Sequence, residues 1–161
     1  MVTTTRESLL ADADATLRAG RALAPALHGG MLVTLEGELG AGKTTLARGI
    51  LRGLGHAGAV KSPSYAVVEH YRFSSLYLYH FDFYRFADPR EWETAGFSEY
   101  FRDDAAWLVE WPERAAGFLP PADLSLVLSM RDDDAPGRRL VAHASTAAGE
   151  RALDALATIP D

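Results

Sequence analysis

The stretch Gly37-Glu38-Leu39-Gly40-Ala41-Gly42-Lys43-Thr44 constrains the fold more than any other part of the chain. It matches G-x-x-x-x-G-K-[ST] in full. Such a loop works only between a strand and a helix, and both are legible around it. Met31 to Leu35 is a short apolar strand candidate. A helix is expected from Lys43, with Leu46, Ile50 and Leu54 on one face and Gly55 as its stop. Glycines let the backbone wrap closely and turn N–H groups inward around a polyphosphate. The helix N-terminus adds the positive end of its dipole. The run Glu38, Leu39, Gly40, Ala41, Gly42, Lys43, Thr44 and Thr45 is therefore expected to hold a nucleotide's phosphates. Lys43 would place a point charge on the β- and γ-phosphates, and the Thr44 hydroxyl is sized to ligate Mg²⁺.

The rest of the chain reads as alternating elements. Thr4 and Glu7 form a capping-box pattern, and Leu9, Leu10, Ala13, Leu17, Leu23 and Leu27 recur at roughly helical spacing, so a first helix is expected before Gly29-Gly30. Tyr65–Tyr71 and Leu76–Phe81 are β-rich and separated by four residues, which predicts an antiparallel hairpin. Asp88-Pro89 with Glu91 predicts a short helix ending at Gly96. Ala105–Trp111 reads as a buried strand stopped by Pro112. Leu124–Met130 alternates with period two, Asp132–Gly137 is a turn, and Arg139–Ala144 is the expected partner strand. Ala147–Ala157 predicts a closing helix. This order implies an α/β fold: a single P-loop NTPase-type domain over residues 1–161. Central parallel strands would be flanked by antiparallel strands and hairpins, with helices on both faces.

Composition narrows the chemistry. The 161 residues carry a formal charge of −6 and no cysteine, which excludes disulfides, thiolate metal sites and a cysteine nucleophile. The acidic balance argues against a sequence-blind grip on nucleic acid. No apolar run approaches the ~20 residues of a membrane helix, and the N-terminus lacks the apolar core of a signal peptide. A cytoplasmic protein with no membrane partner is expected. Asn and Gln are absent. Guanine-specific GTPases commonly read their base with Asn-Lys-x-Asp and position water with Gln, so ATP is the better fit.

A phosphate loop of this kind needs a carboxylate at the end of a neighbouring strand. Glu110, closing the apolar run Trp107-Leu108-Val109-Glu110, is the first candidate; in a plain core it would be costly unpaired. Asp82 in His80-Phe81-Asp82-Phe83-Tyr84-Arg85 is the second; this cluster of an acid, an imidazole and a guanidinium could orient an attacking water or hold a second magnesium-bound one. The alternatives are a solvated strand end for Glu110 and an edge-strand Asp–Arg surface pair for Asp82. Ser62 and Ser64, around Pro63, suit a γ-phosphate-sensing loop. The aromatic residues Tyr77, Tyr79, Phe81, Phe83 and Tyr84 read as packing rather than a base-stacking platform. His28, His56, His70 and His143 lack metal-ligand spacing.

Four stretches together carry a resemblance: LEGELGAGKTTLARGILRGLG, VKSPSYAVVEHY, YHFDFYRFADPREWETAGFSEYF and LVEWPER. Over residues 35 to 114 the chain resembles the bacterial TsaE family, also called YjeE. The resemblance implies a small P-loop fold that binds ATP and Mg²⁺. It implies phosphate and metal roles for Lys43 and Thr44, a magnesium-associated role for Glu110, and a hydrolytic role for Asp82. It also implies association with the TsaB and TsaD proteins. ATP hydrolysis would then support threonylcarbamoyl modification of adenosine 37 in tRNA, with tRNA met only indirectly. The chain departs from the family at Ser62-Pro63-Ser64-Tyr65, where Ser-Pro-Thr-Tyr is usual; a hydroxyl is kept and a methyl is lost.

Two other readings compete with a partner-dependent ATPase. A small-molecule P-loop kinase would need an Arg-rich lid, for which Arg131, Arg138 and Arg139 around an acidic turn are a poor match. A nucleotide-gated binding module would bind ATP without useful hydrolysis.

Overall fold

The computed structural model describes residues 4–60, 63, 67–74, 76–88, 90, 91, 96–101, 104–132 and 135–158. Its seven strands are β1 (Thr4–Leu10), β2 (Leu32–Glu36), β3 (Val68–Arg72), β4 (Tyr77–Asp82), β5 (Ala105–Glu110), β6 (Leu124–Met130) and β7 (Arg138–Ala144). They form one sheet in the order β1-β7-β6-β2-β5-β4-β3. β6, β2, β5 and β4 run parallel through the middle. β1, β7 and β3 pair antiparallel at the flanks, β3 through the expected hairpin with β4. Burial follows this division. β5 is buried along its whole length, as an interior parallel strand covered on both faces must be. β6 and β7 alternate between buried and partly exposed residues.

Three α-helices cover one face: α1 (Ala13–Leu23), α2 (Lys43–Gly53) and α3 (Ala147–Leu156). Their buried residues join Val33, Leu35, Leu78, Leu108, Leu126 and Leu140 in one core. Among the described residues, the opposite face carries the short 3₁₀ helices Phe97–Tyr100 and Pro112–Ala115. Beneath them lies an aromatic layer that includes Tyr79, Phe81, Phe83 and Trp107. The packing reading therefore holds for those residues, with Phe81 and Phe83 fully buried. α1 and α2 touch backbone to backbone. A Cβ on Gly20 would stand 2.4 Å from the Leu46 carbonyl oxygen, and one on Gly49 2.4 Å from that of Leu17.

The N-terminal expectation is overturned. Residues 4–10 form a strand, and the helix begins only at Ala13, where the Asp12 side chain accepts the Ala15 N–H at 2.8 Å. Thr4 and Glu7 do not form a capping box. The Thr4 hydroxyl donates to Glu150, and Glu7 takes two hydrogen bonds from Arg139. The strand wins because β7 otherwise presents an open row of backbone donors and acceptors, which β1 satisfies along seven register pairs. Of the helix expected over residues 88–96, only the start is described, with Glu91 helical; 89 and 92–95 lie outside the described residues. The Ser62 and Ser64 positions also lie outside them.

Candidate functional site

The sheet register assembles the site. In the parallel ladders Glu110 is paired with Leu35 on β2 and with Asp82 on β4. The loop leaving β2 therefore emerges beside both strand-end carboxylates. Ligand crevices in open α/β sheets form at such carboxyl ends. Strand parity sets the direction. Leu78 and Leu108 face the helix-covered core, so His80, Asp82 and Glu110, at even spacing from them, face α2 as well.

The loop itself curls tightly. Gly40 and Gly42 hold φ of +82° and +106°, which side chains rarely adopt, and a Cβ on Gly40 would meet nothing within 4 Å. Leu39, Gly40, Ala41, Gly42, Thr44 and Thr45 thereby line one cavity of about 420 Å³. Lys43, Asp82 and Glu110 line the same cavity. Glu38 is not part of its lining; its carbonyl oxygen accepts from Lys43 Nζ at 3.1 Å.

Four polar side chains here are withdrawn from solvent: Lys43, His80, Asp82 and Glu110 at 6, 0, 4 and 2 % exposure. Buried charges persist only when paired or matched by a ligand. The Thr44 hydroxyl lies 3.4 Å from Glu110 Oε1, and His80 Nε2 lies 2.6 Å from Glu110 Oε2. Asp82 Oδ1 accepts the Tyr84 N–H at 2.9 Å. Glu110 is therefore not solvated, and β4 is an interior strand rather than an edge. Lys43 Nζ folds back to donate to the carbonyls of Gly37 and Glu38. Burial pulls its ammonium below the ordinary lysine range, against the opposing pull of Glu110, Asp82 and Glu113. The Trp111 ring centroid lies 4.1 Å from Nζ. Trp111 holds φ 58°, ψ 50°, a left-handed conformation costly for a bulky residue. That turn takes the chain out of β5 and sets the indole beside Tyr84, with centroids 5.0 Å apart.

The donor set suits a phosphate chain with a hard cation. Mg²⁺ takes oxygen ligands, characteristically one or two from protein, and keeps waters and phosphate oxygens for the rest. The Thr44 hydroxyl and Glu110 carboxylate, 3.4 Å apart beside a helix N-terminus, offer that pair. A second cavity of about 290 Å³ continues from the loop, lined by Asp12, Thr16, Gly42, Thr45, Gly137 and Arg138 among others. Arg138 donates to the Gly40 carbonyl at 3.1 Å, while its buried Nε has no partner.

Sequence reasoning had named Lys43, Thr44, Asp82 and Glu110, and they line one cavity. It missed the His80–Glu110 contact, although the shared parity of His80 and Asp82 was there to be read. It assigned Tyr84 to packing, whereas Tyr84 lines the cavity beside Arg85, the guanidinium of the cluster named around Asp82. It set Arg138 aside, and nothing in the sequence signals that a residue 98 positions from Gly40 bonds to it.

Comparison with known proteins gives a consistent answer. A family described as "Threonylcarbamoyl adenosine biosynthesis protein TsaE" matches residues 10–140. The chain is 50% identical over 103 residues to a "tRNA threonylcarbamoyladenosine biosynthesis protein TsaE" of Haemophilus influenzae, covering 64% of this chain and 65% of that protein. It is 42% identical over 105 residues to the Bacillus subtilis protein of the same name, covering 65% of each. The matched stretch thus spans slightly under two thirds of both relatives. A crystal structure of Bacillus subtilis YdiB superposes with a TM-score of 0.81 at 29% identity, covering 98% of this chain and 97% of that one.

Proposed function

The chain belongs to the TsaE family, and from that premise we propose that it is a magnesium-dependent ATP-binding and hydrolysing protein. It would support threonylcarbamoyl modification of adenosine 37 in tRNA by acting on TsaB and TsaD. The observation that carries the reading is the meeting of Lys43, Thr44, Asp82 and Glu110 in one loop-lined cavity at the carboxyl ends of β2, β4 and β5.

Each residue has work in this scheme. The backbone N–H groups from Gly40 to Thr45 cradle the phosphates at the start of α2. Lys43 exchanges the Gly37 and Glu38 carbonyls for phosphate oxygens. Thr44 and Glu110 would hold the cation, which would neutralise part of the phosphate charge when bound. Asp82 orients the attacking water and accepts its proton. The base would occupy the second cavity, which continues from the loop past Asp12, Thr16 and Arg138. The acidic chain needs no basic face, because its dealings with tRNA run through partners. Among the described residues no helix is long and apolar enough to cross a membrane.

The test is ATP turnover by the purified chain, alone and with TsaB and TsaD. Mg-ATP should promote a three-protein complex, and the partners should raise turnover. Failure to bind ATP at millimolar concentration defeats the proposal. Turnover of a specific small phosphate acceptor would favour a kinase instead.

A further inference from the structure

His80 is the one fully buried histidine among the described residues, in a position where β4 otherwise supplies core side chains. Its Nε2 meets Glu110 Oε2 at 2.6 Å, the closest contact that Glu110 makes. A carboxylate only accepts, so against an ionised Glu110 the hydrogen between them is carried by Nε2. Nδ1 is buried and has no partner. An imidazole with one ring nitrogen unsatisfied is an expensive substitute for a leucine in a core. Packing alone does not account for it.

The geometry accounts for it differently. The terminal torsion of a glutamate is broad, so its rotamer does not fix which oxygen faces which way. The His80 hydrogen bond takes Oε2 and leaves Oε1 turned toward Thr44, at 3.4 Å. We propose that His80 is a positioning residue: it locks the Glu110 carboxylate so that Oε1 and the Thr44 hydroxyl present a preset pair of oxygens to a divalent cation. This rests on the functional reading above and adds a residue to it. Partners that orient a ligating side chain commonly change metal affinity about 10- to 100-fold when lost.

The experiment measures Mn²⁺ binding to the ADP-loaded protein by electron paramagnetic resonance, and ADP binding in EDTA by calorimetry. His80→Phe removes the donor and keeps the ring; His80→Gln returns an N–H near the Nε2 position. Expected is a loss of Mn²⁺ affinity of about tenfold or more in His80→Phe, metal-free ADP affinity close to the parent's, and recovery in His80→Gln. Unchanged Mn²⁺ affinity in folded His80→Phe overturns the proposal, as does an equal fall in metal-free ADP affinity, which marks a structural role only. If His80→Phe does not fold, ¹⁵N resonances of the parent's imidazole serve instead. Adding Mg²⁺ to the ADP complex must shift His80 Nε2, and indifference overturns the proposal. A parent protein that binds neither ADP nor Mn²⁺ sinks the functional reading itself, an outcome distinct from binding that ignores His80.

Discussion

Asp82 and Glu110 are the last register pair of the parallel β4–β5 ladder, two buried carboxylates side by side at the mouth of the glycine-rich loop. Neighbouring carboxylates repel, so such a pair is tolerated where cations or donors face it. Here Lys43 and the Thr44 hydroxyl do so.

The two acids should separate by role. Asp82→Asn should cut ATP turnover by about 100-fold or more while leaving Mg-ADP binding near the parent's. Glu110→Gln should also cut turnover, and in addition raise the Mg²⁺ concentration needed for half-maximal binding. Turnover against Mg²⁺ concentration, with TsaB and TsaD present, reads both. Parent-like rates in both variants would remove these carboxylates from the chemistry.

Lys43 should matter to the ligand and not to the empty fold. Burial works against its charge, so Lys43→Met, of similar length, should melt no lower than the parent without nucleotide. The rise in Tm that saturating Mg-ADP gives the parent should vanish in the variant. Scanning fluorimetry with and without ligand checks both halves.

Helix contact should be intolerant of a single methyl. In Gly20→Ala the new Cβ would stand 2.4 Å from the Leu46 oxygen and 2.7 Å from the Ile50 nitrogen, both backbone atoms unable to step aside. Overpacking of this kind costs about 1–3 kcal/mol. Urea unfolding should show that loss with the slope of the transition unchanged. Because α2 starts at the glycine-rich loop, the proposed nucleotide affinity should fall with it.

Alkaline pH should act through Tyr71. Its phenol packs against the core, and burial, helped by the nearby Glu69, raises its pKa. The fold favours the neutral phenol, so the unfolded chain ionises first. The stabilisation is complete below the unfolded pKa of about 10 and is lost as pH rises through the higher folded value. Tyr71→Phe should therefore lose less Tm than the parent between about pH 9 and pH 11. Parallel Tm curves for the two would contradict this.

The elements that were legible in the chain owe their clarity to local chemistry. The glycine-rich loop, its flanking strand and helix, the β3–β4 hairpin and the β6–β7 pair each declare themselves within a few residues. Residues 4–10 show the opposite case. Thr4 and Glu7 satisfy a helix-start pattern, yet their partners are Glu150 and Arg139, over 130 positions away. Gly20 and Gly49 carry no local signal of their role, which is to let the two helix backbones touch. His80 and Arg138 carry no local signature of their contacts, because what they touch is set by strand order.

Residue identity alone determined that this chain would carry a glycine-rich loop between a strand and a helix, with acidic residues at two later strand ends. A motif of that kind depends on backbone conformation and hydrogen bonding over eight neighbouring residues, and those are encoded where they occur. Which strands lie side by side, and so which carboxylate meets the loop's hydroxyl and which imidazole orients it, was decided by the folded sheet. A one-residue shift of register would turn Asp82 and Glu110 to the opposite face, and only the burial of the whole core selects the register that keeps them together.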